Sequence, residues 1–265
     1  MSVLEVFKAK AAEVDKVAQP DSSKPEFWRD PFEPLRKKWS VLPLARQERA
    51  RISDVMDLSD TELLRLWNEA QQEQFQVRGW YHQLYDPMVW GKKVLDLGAG
   101  LGFDSIAFAK LGAEVTFVDL VPNTLAVLQR LCGMMGIRNA RFPVLEDLDS
   151  LRSLAGDFDI IMAIGSLINA PFEVIRAEVQ ELIKHLKIGG RWLHFAYPKC
   201  RWQREGSLPF HLWGTKTDGP GTPWMEWYDT EKMFRLFEPY KVELVFTHEW
   251  HNADFNWFDF IKHGY

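Results

Sequence analysis

Asp96, Gly98, Gly100 and Gly102 alternate along the stretch VLDLGAGLGFDSIAFAKLGAEVTFVDL, residues 94–120, which closes on a second acid, Asp119, followed by Leu120. A loop of this kind is built to hold a ligand. The dinucleotide fingerprint G-x-G-x-x-G brings a pyrophosphate close to the backbone at a helix N-terminus. Here the third glycine comes one residue early and Phe103 stands where that motif wants glycine, which counts against a nicotinamide-dependent oxidoreductase. An acid opening the turn repels a pyrophosphate but suits a ligand carrying an ammonium group. Further along the chain, Ser166, Asn169, Tyr197, His211, Trp213, Trp224, Glu226, Trp227, His251 and Asn252 are the polar and aromatic residues that could meet a second molecule. The pair in HEWH, His248 and His251, lacks the H-E-x-x-H spacing and has no third ligand, so no metal site is expected.

The elements that must position these residues follow from the apolar pattern. Val94 to Leu97 is a short apolar run stopped by glycine, the look of a buried parallel strand. Phe103, Ile106, Ala107 and Ala109 mark a helix that ends at Gly112, and Val115, Phe117 and Val118 mark a second strand, with Asp119 at its carboxyl end. Ligands of such sheets bind at that end. The spacing then predicts a helix over 122–136, strands over 140–145 and 158–164, a helix from Pro171 to about Leu186, and a strand RWLHFAYP in which His194 is a core histidine. Residues 198–228, rich in glycine, proline and tryptophan, read as a lid-like loop inserted above the sheet; a short helix over 229–237 and a terminal strand pair complete the chain. This alternation predicts a doubly wound, mostly parallel α/β sheet of seven strands. The first 90 residues read as a helical cap with no strand, including an apolar stripe from Val3 to Val17 and a long helix that starts at Ser59 with a Ser59–Glu62 capping box. Residues 91–265 then form the main domain.

Composition narrows the classes. The chain has 265 residues, 46% of them hydrophobic, enough for one large α/β domain with an added part. No apolar run reaches the roughly 20 residues of a membrane helix and the N-terminus has no signal-peptide pattern, so the expected address is cytoplasmic. Cys132 and Cys200 are too few for a disulfide framework. A net charge of -5 argues against nucleic acid as the main partner, leaving a small molecule. Twelve tryptophans, several in loop-like sequence, point to a wall for stacking a ring or a sugar face.

With its acid followed by G-x-G-x-G, Asp96 to Gly102 resembles the first motif of the class I S-adenosylmethionine-dependent methyltransferases; the resemblance extends over about 92–197, and it implies that the terminal strand pair carries the family's reversed last strand. It implies S-adenosylmethionine as cofactor, with Gly98, Ala99, Gly100 and Gly102 under its methionine part and Asp96 near the amino group. Asp119, with Leu120 beside it, would accept both ribose hydroxyls, since one carboxylate can accept two hydrogen bonds from a vicinal diol. Asp147, flanked by Glu146 and Leu148, would meet the adenine, Ile164 would border the transferred methyl, and Arg78 would pair with the methionine carboxylate.

Methyl transfer is an in-line displacement, so the protein aligns donor with acceptor and removes a proton where the acceptor needs it. Acceptor residues are therefore expected over the carboxyl ends of the middle strands. His251, oriented by Asp254, is the first candidate base, with Tyr197 and His211 in reserve. The expected function is methyl transfer to a small polar acceptor, a hydroxyl before an amine, with a sugar or glycan precursor as one such acceptor; a non-catalytic cofactor-binding module is the alternative.

Overall fold

A computed structural model describes residues 21–44 and 49–265. The stripe from Val3 to Val17 lies outside the described residues. An N-terminal strap runs through α1 (Phe32–Trp39) and an antiparallel ribbon, β1 (Val41–Pro43) and β2 (Arg49–Arg51), to a short α2 (Ile52–Met56). The ribbon corrects the expectation of a wholly helical cap. Next comes α3 (Asp60–Arg78), whose Ser59 hydroxyl accepts from the Glu62 N–H while the Glu62 carboxylate accepts from the Ser59 N–H, the reciprocal cap read in the sequence. A short α4 (His82–Tyr85) leads to the sheet.

The sheet alternates with helices: β3 (Lys93–Leu97), α5 (Phe103–Lys110), β4 (Glu114–Val118), α6 (Pro122–Met134), β5 (Ala140–Arg141), α7 (Leu148–Arg152), β6 (Phe158–Ile164), α8 (Phe172–Leu182) and β7 (Leu186–Pro198). The insertion supplies α9 (Lys199–Arg204), α10 (Phe210–Asp218) and β8 (Trp227–Tyr228). After α11 (Thr230–Phe237) come β9 (Lys241–Trp250) and β10 (Phe255–Gly264). The strand order is β5-β4-β3-β6-β7-β10-β9, with β10 antiparallel to both neighbours and β8 pairing the end of β7. This is the expected mostly parallel sheet of seven strands with a reversed last strand. Two bounds differ from the sequence reading: β5 is only two residues long, and the turn Ile188-Gly189-Gly190 is absorbed into β7 beside a register shift.

Register separates the two faces. Asp96 lies beside Met162 and Leu193, and Leu95 beside Ile161 and Trp192. Successive strand residues point to opposite faces. Asp96 meets Ser105 of α5, whereas Trp192 meets the edge of Phe237 of α11, so these helices cover opposite sides of the sheet. Both faces are buried, which is why Val94, Leu95, Val115 and Phe117 form near-continuous apolar runs. The polar groups of the strand ends are left at one edge, under the strap and the insertion.

Candidate active site

The glycine turn is held by a backbone bond to the next strand, the Gly98 N–H donating to the Val118 carbonyl at 2.8 Å, and by another across itself, the Gly102 N–H donating to the Ala99 carbonyl at 2.8 Å. Gly98 and Gly102 each have left-handed backbone, with φ of 68° and 63°, and no room for a side chain. A Cβ on Gly98 would lie 2.5 Å from Ser166 Cβ, and one on Gly102 2.6 Å from Leu128 Cδ2. At Gly100, also left-handed, a Cβ would meet nothing within 4 Å, which is the open side on which a ligand can approach.

Asp119 closes the turn from β4. Its Oδ2 accepts from the Gly100 N–H at 3.0 Å and its Oδ1 from the Val121 N–H at 2.9 Å. Burial pushes this carboxyl up to about 6, against the pull of those two N–H groups. Each oxygen retains a further acceptor site. Asp96 is buried beneath the turn and accepts from the Ser105 hydroxyl at 2.5 Å. Burial raises it to about 7, with Ser105 opposing and the neighbouring charges of Asp104 and Asp119 adding to the rise.

Arg78 sits at the end of α3 and pairs with Asp104 Oδ2 at 3.3 Å. Asp104 also accepts from the Tyr81 hydroxyl at 2.7 Å and lies 3.1 Å from His82 Nε2, so burial is outweighed and its carboxyl is held below the usual range. Arg78 is therefore engaged within the protein, although its buried Nε has no partner.

A cavity of about 140 Å³ opens over this turn. Gly98, Gly100 and Asp119 line it, together with Leu120, Leu145, Ile164, Gly165 and Ser166. The strap roofs it with Leu35, Trp39, Leu42 and Pro43. Arg36 ties the roof down, Nε donating to the Leu120 carbonyl and Nη2 to the Glu146 carbonyl, both at 3.2 Å. Lys38 Nζ donates to the Asp218 and Pro220 carbonyls at 3.2 and 2.6 Å, and Arg49 also donates to the Asp218 carbonyl, so the strap is fastened to the insertion as well. Arg36→Ala is expected to weaken ligand binding in the cavity by roughly tenfold, the worth of about 1.5 kcal/mol from bonds with a charged donor. Calorimetry checks the affinity, and faster cleavage of the strap in limited proteolysis checks the cause.

Asp147 and Leu148, expected at the adenine, do not line the cavity. Asp147 is exposed and caps α7, accepting from the Ser150 N–H at 2.8 Å and the Ser150 hydroxyl at 2.9 Å, bonds that hold its carboxyl below the usual range. Leu148 packs against the core, and Leu145 takes the cavity wall. Glu146 contributes its backbone carbonyl to Arg36.

The insertion is not a loop: it folds as α9, α10 and β8. Trp213 is fully buried, donates to Glu205 Oε2 at 2.6 Å and meets Tyr197 edge-on, so it offers no free face for stacking. Trp224 donates to Glu226 Oε2 at 2.9 Å and lies edge-on to Trp28. Glu226 forms a buried ion pair with Lys232, whose ammonium lies 4.0 Å from the centroid of the Trp227 ring. These four residues hold the insertion together from within.

Among the proposed bases, His251 is exposed on the β9–β10 turn, with φ of 52° and Nε2 3.3 Å from the Val77 carbonyl. Asp254 does not orient it, because Arg204 holds that carboxylate. Asn252 faces solvent and gives its carbonyl to Arg204. His211 is half-buried, acts electrostatically on Asp21 and does not line the cavity. Tyr197 is buried and donates to Asp218 Oδ1 at 3.0 Å; burial and the Asp218 charge push its phenol far above the usual range, which makes it a donor. Asn169, 1% exposed, donates to the Trp224 carbonyl at 3.2 Å and reaches Asp218 Oδ2 at 3.4 Å. Asp218 is thus the carboxylate that the strand ends converge on, and sequence reasoning missed it. Ser166 lines the cavity, which Asp218 does not, and the buried Ser166 hydroxyl has no protein partner. Among the described residues no cluster of His, Cys, Asp and Glu could hold a metal ion, and no helix is long and apolar enough to cross a membrane.

A glycine turn lies under a strand-end acid in a sheet ordered β5-β4-β3-β6-β7-β10-β9, and residues 94–190 match the family model for a methyltransferase domain. The ubiquinone biosynthesis O-methyltransferase of Xylella fastidiosa (strain M23) is 39% identical over 104 residues, covering 38% of this chain and 40% of that protein. The chain therefore spans about two-fifths of the length of the curated relatives it matches. Among solved structures, magnesium protoporphyrin IX methyltransferase from Synechocystis PCC 6803 with bound SAH shares the fold, with 19% identity, a TM-score of 0.51, and coverage of 72% of this chain and 82% of that one. The cyclase SpnF shares it too, with 14% identity, a TM-score of 0.57, and coverage of 73% and 83%. A fold that hosts a cyclase leaves the reaction to be argued from the site.

Proposed function

We propose that this protein transfers a methyl group from S-adenosylmethionine to a hydroxyl of a small polar acceptor. The residues present fit the cofactor: the open side of Gly100, the two acceptor sites left on Asp119 and the unpartnered Ser166 hydroxyl all face one cavity. Once bound, the cofactor supplies an electrophilic methyl group on a sulfonium. The observation that carries the choice of hydroxyl is the Asp218 carboxylate, held by Tyr197 and Asn169 at the carboxyl ends of β6 and β7.

In this reading Asp218 accepts the acceptor's proton, Tyr197 and Asn169 fix its carboxylate, and the strap excludes water from the cavity. A carboxylate is a sufficient base when the hydroxyl loses its proton as the new bond forms. The tryptophans that pointed to a sugar ring are engaged inside the insertion, so the reading stops at the hydroxyl class. The test is incubation with methyl-deuterated cofactor and matched panels of hydroxyl and amine compounds, followed by mass spectrometry. The expected product is a labelled ether with stoichiometric S-adenosylhomocysteine. Label found only on nitrogen would move the reading to the amine class; no transfer at all would favour a cofactor-binding module.

A further inference from the structure

With Asp147 capping α7 in solvent, two acids remain on the cavity wall, Asp119 and Glu178. Glu178 projects from the middle of α8, one helical turn from Ile175, and both line the cavity. It is 5% exposed and makes no hydrogen bond or ion pair among the described residues. Its charge acts on the buried Tyr228 phenol, but no side chain bonds to the carboxyl. Burying one without a partner is costly, and the cost is offset only when a ligand supplies the missing bonds. Burial alone pushes this carboxyl up to about 8, so near pH 7 it is mainly the neutral acid. A neutral carboxyl offers one O–H donor and one carbonyl acceptor side by side. That pair is the complement of an adenine edge, which presents the N1 acceptor next to the N6 amino donor. The apolar side chains of Leu120, Leu145 and Ile175 line the same cavity and are suited to the faces of a planar ring.

We propose that Glu178 determines recognition of the cofactor's base, its carboxyl pairing with N1 and the 6-amino group of adenine in the place the sequence assigned to Asp147. This rests on the S-adenosylmethionine reading of the cavity. It makes Glu178 a specificity residue of the binding step, with no part in moving the methyl group.

The experiment compares, by calorimetry, S-adenosylhomocysteine with its purine analogue in which hydrogen replaces the 6-amino group. The wild-type protein should prefer the amino form by roughly tenfold, the worth of one well-made hydrogen bond from a buried site. Glu178→Gln presents the same donor and acceptor and should keep that preference. Glu178→Leu should bind both ligands with nearly equal affinity. Its melting temperature should not fall, because an unpartnered buried acid gives way to an apolar side chain; a loss of discrimination is then not a loss of fold. If Glu178→Leu keeps the wild-type preference for the amino group, the proposal is overturned while the cofactor reading stands. If the wild-type protein binds neither ligand, the cofactor reading itself falls, and this proposal with it.

Discussion

Asp218→Asn is expected to lower turnover by roughly 10²–10⁴-fold, the usual worth of a positioned base, with cofactor affinity unchanged. Asparagine keeps the shape of the side chain and can still accept from the Tyr197 hydroxyl, but it cannot take a proton. The backbone carbonyl of residue 218, which receives Lys38 and Arg49 from the strap, is untouched by the substitution, so the roof of the cavity stays fastened. Tyr197→Phe removes only the 3.0 Å bond that orients the carboxylate and should cost roughly tenfold, since the bond is one to a charged group worth about 1.5–3 kcal/mol. Single-turnover kinetics at saturating cofactor separate the two effects. Wild-type turnover in Asp218→Asn would remove the carboxylate from the chemistry.

Asp119→Ala should weaken S-adenosylhomocysteine binding by roughly a hundredfold to ten-thousandfold, because two hydrogen bonds to a charged group, each worth about 1.5–3 kcal/mol, are lost together. The Gly100 and Val121 N–H groups lose their acceptor in the same variant, and the glycine turn loosens. The pH dependence has a definite sign. Hydroxyl donors bind the ionised carboxylate better than the acid, so ligand binding lowers the Asp119 pKa, and affinity rises as pH rises through the free protein's value of about 6. A calorimetric series from pH 5 to 8 should show this rise in the wild-type protein and lose it in Asp119→Asn. An equal affinity at both ends of the series would take Asp119 out of the diol site.

The central unit was legible because its signals are local. Val94 to Leu97 and Val115 to Val118 are buried on both faces and so read as unbroken apolar runs, and Ser59, Gly112 and Pro122 mark helix ends by their own chemistry. The ribbon of β1 and β2 left no such trace, since each three-residue strand buries a single residue, Leu42 or Ala50. The helices of the insertion were hidden by its glycines and prolines, which sit at the helix ends and in the turns between them: Pro209 caps α10, and Gly219 ends it. Asp147 shows a different limit. One carboxylate suits both an adenine amino group and a helix cap, and only the backbone of α7 decides. Asp218 and Glu178 could not be singled out at all, one reading as a turn residue before glycine and the other as an ordinary helix charge, until packing put the first beside Tyr197 and turned the second inward.

The account's central claim is that the cavity under the strap is an S-adenosylmethionine site. Calorimetric titration of the wild-type protein with S-adenosylhomocysteine, and in parallel with NAD, tests it most directly. Saturable binding of S-adenosylhomocysteine at one site per chain, with no heat from NAD, is the predicted result. Saturable binding of NAD with none of S-adenosylhomocysteine would contradict it.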